Sequence, residues 1–165
     1  MAEEKVIVRG VPVTEELHDL IRFVLTSFVR PTVTELYALK HNDITLAERP
    51  RRLLVTVRKG KTGYRVANTM ISTYFLYKNY IRRRYPKAKG EDYIFLPQYK
   101  NRHTAAKIIQ RQFHEALRRA GIEVDPFTGR KHTLYSLRHT AICMRIIHSG
   151  GKVNIYNLAK MLALR

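Results

Sequence analysis

Three basic residues of this chain stand where a permanent positive charge could do chemistry. Arg30 lies at the break between two helix-like segments in "FVRPTVTELYALKHNDI", Lys61 lies between glycines in "KGKTGYR", and Arg138 lies inside the apolar segment "LYSLRHTA". An arginine on an apolar face is costly unless it meets a carboxylate or another anion. The three residues therefore predict either structural ion pairs or an anion site, depending on what the fold brings next to them.

Each of these residues also has a purely structural interpretation. Arg30 could pair with Glu35 or Asp43, both of which follow it closely in the sequence. Lys61 could be a solvated lysine at a turn, and Arg138 could form a buried salt bridge. These alternatives stay open at the level of the sequence.

The neighbours of Arg138 are expected to differ in their surroundings. His139 is adjacent to it and points about 100° away on a helix, which predicts a buried core histidine. Tyr135 lies three residues before Arg138 and shares its face of the helix, so we expect it near the same site. Cys143 is the only cysteine and lies in the apolar segment "HTAICMRII", so we expect a buried, inert thiol.

The charge of the chain favours a polyanionic partner. The 165 residues carry 31 Lys and Arg against 13 Asp and Glu, a formal net charge of +18. Nucleic acid is the commonest partner of so basic a protein, because neutralised phosphates release their counterions. The run Arg82, Arg83 and Arg84 is either a solvated helix end or a contact to a DNA backbone, and the net charge favours the second. One cysteine excludes an intrachain disulfide and a cysteine-based zinc site.

Apolar periodicity predicts how the chain positions these residues. Helices are expected over 13–29, 32–40, 72–85, 104–121, 135–151 and 154–165, with the helix at 135–151 mostly buried. Strand-like residues 53–57, the turn "KGKTG" and the extended "YRVA" predict a β-hairpin, and 92–97 predicts a short extended piece. The fold class is therefore α+β, mainly helical with a small antiparallel β-sheet. We expect a single domain over residues 1–165, with no membrane segment and a cytoplasmic location.

At this point the sequence resembles a known family. The segments "RPTVTELYALKHNDI", "KTGYR" and "YSLRHT" occur in the order and context of the catalytic domain of tyrosine recombinases, the phage integrase family. The resemblance extends from about residue 15 to residue 162. It implies the tyrosine recombinase catalytic-domain type of fold, double-stranded DNA as partner, self-association on DNA and association with the nucleoid. It also implies a role in DNA recombination or integration for a phage or mobile element, without a cofactor or metal.

The resemblance assigns a role to each candidate residue. Arg30 and Arg138 match the two arginines that hold the scissile phosphate, where extra negative charge develops in the transition state. Lys61 matches the hairpin lysine that protonates the departing 5′-oxygen, and Lys59 is the alternative because it lies on the same face. These enzymes attack the phosphodiester with a tyrosine and form a 3′-phosphotyrosine.

The sequence departs from the family's pattern in three places. Tyr135 stands where most members have histidine, and with a pKa of about 10 a tyrosine is a poor proton shuttle near neutral pH. The acidic residue usually follows the first arginine by three positions, whereas Glu35 follows Arg30 by five. The nucleophilic tyrosine is expected beyond Arg165, since Tyr156 comes too early.

These departures leave more than one function open. The chain is expected to be a catalytic core that lacks the N-terminal core-binding domain and the C-terminal nucleophile segment, and it should bind DNA without cutting it. An alternative is a regulatory DNA-binding protein that has the recombinase fold and no chemistry. A third interpretation, a basic RNA-binding or ribosomal protein, predicts that Arg30, Lys61 and Arg138 lie far apart.

Overall fold

A computed structural model describes residues 5–162 of the chain. Its helices are α1 (Glu15–Ser27), α2 (Ile71–Leu76), α3 (Arg82–Arg84), α4 (Arg102–Arg119), α5 (Leu134–His148) and α6 (Ile155–Leu162). Its strands are β1 (Ile7–Val8), β2 (Val11–Pro12), β3 (Ile44–Glu48), β4 (Arg51–Gly60) and β5 (Gly63–Asn68). A π-helical segment (Tyr77–Ile81) joins α2 to α3, and two 3-10 turns (Leu36–Ala38 and His41–Asp43) precede β3. The expected α+β class is confirmed.

Helix α1 begins and ends as its sequence predicts. Thr14 caps it by accepting a hydrogen bond from the Glu16 backbone, and Glu15 and Glu16 suit the positive end of the helix dipole. The helix stops at Phe28, which adopts the left-handed conformation with a φ of 60°. That turn sends the chain back towards the body of the protein, and it directs the Phe28 carbonyl to a partner on α5.

A three-stranded antiparallel sheet in the order β3-β4-β5 forms the second layer. Strand β4 alternates strictly, with Leu53, Val55 and Val57 buried, and β5 pairs with it so that Val55 lies opposite Ala67. The expected hairpin is therefore confirmed. Strand β3 was not predicted, because most of its side chains are exposed and its apolar alternation is weak.

The core lies between α1, the sheet and α4. Its centre is formed by side chains that are almost fully buried: Leu20, Phe23, Val24, Leu53, Val55, Ile94, Ile109. Helix α1 packs against α2, α4 and α5, so it is the element that connects the layers. Within residues 5–162, no helix is long and apolar enough to cross a membrane.

Four expectations about the helices and their residues are wrong. The segment 32–40 forms only a 3-10 turn at Leu36–Ala38, because its backbone groups fold back onto Arg30 instead of forming a helical ladder. Helix α5 is not mostly buried, since it packs through one face and leaves the others open. His139 and Cys143 lie on its open faces and are exposed, so neither is a core residue.

A candidate phosphate-binding site

Arg30 and Glu35 are brought together by the loop that follows α1. The Arg30 carbonyl accepts hydrogen bonds from the backbones of Thr32 and Leu36, which closes the loop into a compact turn. Glu35 thereby returns to Arg30: its Oε1 accepts from Arg30 Nη1 at 3.0 Å and its Oε2 from the Arg30 backbone N–H at 3.2 Å. The compact turn thus accommodates the spacing of five residues between Arg30 and Glu35, which is two more than the three residues noted in the sequence analysis.

Glu35 also binds a second arginine, Arg65, from the middle of β5. Arg65 Nη2 donates to Glu35 Oε2 at 2.6 Å, and the Glu35 side chain is only 1% exposed. Burial by itself raises the pKa of this carboxyl, but the charge of Arg65 and the hydrogen bonds from both arginines outweigh it and hold the pKa below its usual value. Glu35 is therefore a buried carboxylate shared by two guanidinium groups.

Arg138 approaches the same place from α5. It is 2% exposed and donates from Nη1 to the Phe28 carbonyl at the end of α1. Burial, followed by the charge of Arg30, lowers the pKa of Arg138 from 12.5 to about 10, so the group is still protonated at neutral pH. Phe28 precedes Arg30 by two residues, so Arg138 comes close to the Arg30–Glu35–Arg65 group, and these four residues are called here the arginine cluster.

The arginine cluster concentrates guanidinium groups in one largely buried place. Arg30 and Arg65 share the Glu35 carboxylate, and Arg138 bonds to the Phe28 carbonyl two residues before Arg30. Arg102 provides a contrast, because its guanidinium donates to the backbone carbonyls of four residues: Tyr37, Phe95, Leu96, Tyr99. Arg102 is a structural arginine, whereas the composition of the arginine cluster suits an anion with several oxygens.

The β4–β5 turn carries both candidate lysines close to this cluster. Lys61 is exposed at the tip, and Lys59 is exposed on β4 and lines a groove of about 410 Å³ that Glu35 also lines. Gly60, between them, lies against Glu35, since a Cβ at this position would be 2.7 Å from Glu35 Oε1. Both lysines are thus held near Glu35, and their contacts do not decide between them.

Tyr135 lies at the edge of the cluster. It is 41% exposed, it stands three residues before Arg138 on α5, and its ring contacts that of His139 at a centroid distance of 5.4 Å. It also lines a cavity of about 200 Å³ together with Pro31 and His114. A tyrosine hydroxyl so placed can donate a hydrogen bond to an anion that enters from solvent.

The three consecutive arginines after the π-helical segment differ in their availability. Arg84 is paired with the buried Asp19, and Arg82 Nη1 donates to the Ala88 carbonyl at 2.8 Å. Arg83 is the exposed member of the run. Of the three, Arg83 is therefore the best placed to contact a DNA backbone.

Sequence reasoning missed Arg65 and Gly60. A signal for Arg65 was present, because it lies two residues before the buried Ala67 and opposite the buried Val57, on the inner face of the hairpin. An arginine on the core-facing side of a strand needs a carboxylate, and Glu35 supplies it. The role of Gly60 had no such signal, since glycine in a turn is ordinary.

Within residues 5–162, no group of three or more His, Cys, Asp or Glu side chains is arranged to hold a metal ion. The sequence was also compared with known protein families and with curated proteins. No curated protein matches the chain significantly. The sequence profile described as "Phage integrase family" matches residues 10–163, nearly the whole length. The chain thus belongs to the phage integrase family of site-specific recombinases, and its fold is that of a tyrosine recombinase catalytic domain.

Proposed function

We propose that this chain is the catalytic core of a tyrosine recombinase, a single domain over residues 1–165 that binds duplex DNA and holds one phosphodiester group between Arg30 and Arg138. The observation that carries the proposal is that the fold brings the guanidinium groups of Arg30, Arg65 and Arg138 into one largely buried place. A phosphate is the anion that best matches planar donors carrying permanent charge. The family supplies DNA as the source of that phosphate.

The proposed chemistry is phosphoryl transfer to a tyrosine. The tyrosine oxygen forms a bond to phosphorus and its phenol proton leaves to solvent, while the bond from phosphorus to the 5′-oxygen breaks. The extra negative charge of the transition state falls on the non-bridging oxygens, which Arg30 and Arg138 stabilise. Lys61, or Lys59 in its place, gives its proton to the departing 5′-oxygen. No nucleotide is consumed, because the phosphotyrosine conserves the bond for rejoining.

Tyr135 is proposed to bind phosphate and not to attack it. It stands three residues before Arg138 on α5, so its hydroxyl and the guanidinium lie on the same face of the helix. Tyr156 on α6 is 68% exposed and follows Arg138 too closely to match the family's nucleophile. We therefore assign DNA binding and phosphate activation to this chain, and we expect the nucleophile outside the described residues.

Binding to DNA as a function of salt tests the proposal with the chain as it stands. The association constant for a duplex is measured between about 50 and 200 mM KCl, and log K should fall by about 0.9 for each phosphate neutralised. The variants Arg30→Gln and Arg83→Gln should each weaken binding more than Arg119→Gln, a charge-matched control whose arginine is already paired with Glu115. Affinity that does not depend on salt would contradict the DNA-binding function.

Two finer expectations remain part of the proposal. We propose that copies of the chain associate with one another on DNA, and that the protein acts at the cytoplasmic nucleoid. Both follow from the family's action on paired DNA sites and from the net charge of +18. Sedimentation of the protein with and without duplex DNA measures the first, and it should detect association only when DNA is present.

A further inference from the structure

Arg65 is the residue of the arginine cluster to which the family pattern gives no role. We propose that Arg65 is a positioning residue, which uses Glu35 to hold the lysine-bearing turn (residues 59–63) in place beside Arg30. This inference rests on the proposed function, because it concerns the lysine that protonates the leaving group. It extends that function by naming the contact that couples the lysine to the phosphate-binding arginines.

Glu35 holds Arg30 and the hairpin through different hydrogen bonds. Arg30 contributes two of its own groups, Nη1 at 3.0 Å and the backbone N–H at 3.2 Å, and it lies in the same loop as Glu35. The hairpin contributes one hydrogen bond, from Arg65 Nη2 at 2.6 Å. Loss of Arg65 therefore leaves the Arg30–Glu35 pair bonded, whereas it removes the polar attachment of the hairpin to Glu35.

The lysine-bearing turn approaches the Glu35 carboxylate on one side and is followed by a residue that bonds to it on the other. Gly60 precedes Lys61 and lies so close to Glu35 that a Cβ would be 2.7 Å from Oε1 and 3.2 Å from Cδ. Arg65 follows the turn and bonds to Oε2. Gly60 and Gly63 pair across the turn, so Lys61 lies in a short segment between the close approach of Gly60 to Glu35 and the bond from Arg65 to Glu35.

Arg65 lowers the stability of the folded state in two respects. Its side chain is 11% exposed, and its Nε and Nη1 groups are buried without a hydrogen-bond partner among the described residues. Buried donors without partners are destabilising, and its charge also opposes that of Arg138. A residue that serves stability alone would not be expected to combine these features, whereas such departures are typical of functional sites.

The test separates proton donation from phosphate binding by changing the leaving atom. Two nicked duplexes carry the same cleavage site, one with the natural 5′-oxygen and one with sulfur at that bridging position. In the sulfur duplex the bond from phosphorus to sulfur breaks and a thiolate leaves without a proton, because thiols are far more acidic than alcohols. A defect in the proton donor is therefore recovered with the sulfur duplex, and a defect in Arg30 is not.

The rate of covalent DNA adduct formation is measured for the protein continued at its C terminus to include the nucleophile. Arg65→Gln should lower the rate of adduct formation on the oxygen duplex at least about 10-fold, which is a part of the rate enhancement that a general acid contributes. With the sulfur duplex its rate should return to within about 3-fold of the unsubstituted protein, as for a lysine-to-alanine variant of the turn. Arg30→Gln should stay defective with both duplexes, and Arg119→Gln should behave like the unsubstituted protein.

Gly60→Ala provides an independent variant that keeps every charge. Its added methyl group meets Glu35 Oε1, which Arg30 holds, while Arg65 holds Oε2 of the same carboxylate. We therefore expect the turn to move, and we expect the sulfur duplex to recover the rate as it does for Arg65→Gln. Normal rates for both Arg65→Gln and Gly60→Ala, or a defect that sulfur does not recover, would refute the role of Arg65. Absence of any adduct from the unsubstituted protein would instead refute the proposed function itself, and the inference with it.

Discussion

Replacing Glu35 by glutamine tests the arginine cluster most severely, because it removes the negative charge that Arg30 and Arg65 share and changes the shape of the side chain very little. The Glu35 side chain is 1% exposed and accepts hydrogen bonds from Arg30 and Arg65. In the variant, the amide nitrogen faces at least one guanidinium, and Arg30 and Arg65 lose the carboxylate that they share. The folded state loses both pairing and hydrogen bonds.

The size of the effect follows from burial. Removing one partner of a buried ion pair costs about 3–5 kcal/mol, since the other charge is left uncompensated. For a chain of this length each kcal/mol corresponds to a fall of about 2–4 °C in melting temperature. We therefore expect Glu35→Gln to unfold about 6–20 °C below the unsubstituted protein.

Glu115→Gln is the matched control, because Glu115 also accepts hydrogen bonds from two arginines. Arg118 and Arg119 bind it on the surface of α4, where water screens the charges. We expect little change in its melting temperature. Thermal unfolding is followed by circular dichroism for both variants, with and without inorganic phosphate. Phosphate should raise the melting temperature of Glu35→Gln more than that of the unsubstituted protein, because the anion replaces the lost carboxylate.

Two outcomes would refute this reasoning. Equal melting temperatures for Glu35→Gln and Glu115→Gln would show that Glu35 does not hold the arginines together in solution. A destabilised Glu35→Gln variant that phosphate fails to stabilise would show that the cluster has no affinity for the anion. The first outcome contradicts the ion pairs, and the second contradicts the phosphate site.

Three further predictions concern the same arginines. Arg138→Met should remain folded in urea titrations and lose less stability than Arg102→Met, since burial and the charge of Arg30 lower the pKa of Arg138 and so disfavour its charged form. Complete unfolding of Arg138→Met would mean a structural role. Arg102→Met should lose at least about 3 kcal/mol in the same assay, because buried carbonyls lose their donor, and a smaller loss would contradict that role. The stability difference between Glu35→Gln and the unsubstituted protein should shrink as the pH falls below about 4, because a carboxyl with a depressed pKa stabilises above its unfolded pKa and loses that effect as it protonates. A constant difference down to pH 2 would contradict the pairing.

Much of the fold could be predicted from the sequence where one pattern decided the structure. The alternation through Leu53, Val55 and Val57 and the glycines of the turn predicted the hairpin, and the stripe on α4 predicted that helix. The burial of α5 could not be predicted in the same way. Its apolar side chains point in several directions, and only packing against α1 decides which of them are covered.

The sequence motifs indicated the candidate residues Arg30 and Arg138, but they did not indicate the contacts that Glu35 makes with Arg30 and Arg65. Arg30 and Arg138 lie in segments of the sequence where an arginine already required an anionic partner. The path by which Glu35 returns to Arg30 depends on backbone bonds from Thr32 and Leu36, which no periodicity expresses. To predict that Arg65 faces the core, one must know the register of β5 against β4, and that register follows from the complete sheet and not from the motif.

Covalent adduct formation on a nicked duplex tests the central claim most directly, namely that Arg30 and Arg138 together hold the phosphate that is cut. The assay is run with the 165-residue chain and with the chain continued at its C terminus. We predict a denaturation-resistant DNA adduct only for the longer protein, and its loss in Arg30→Gln and in Arg138→Met while both variants remain folded. An adduct formed by the 165-residue chain, or retained when either arginine is replaced, would contradict the account.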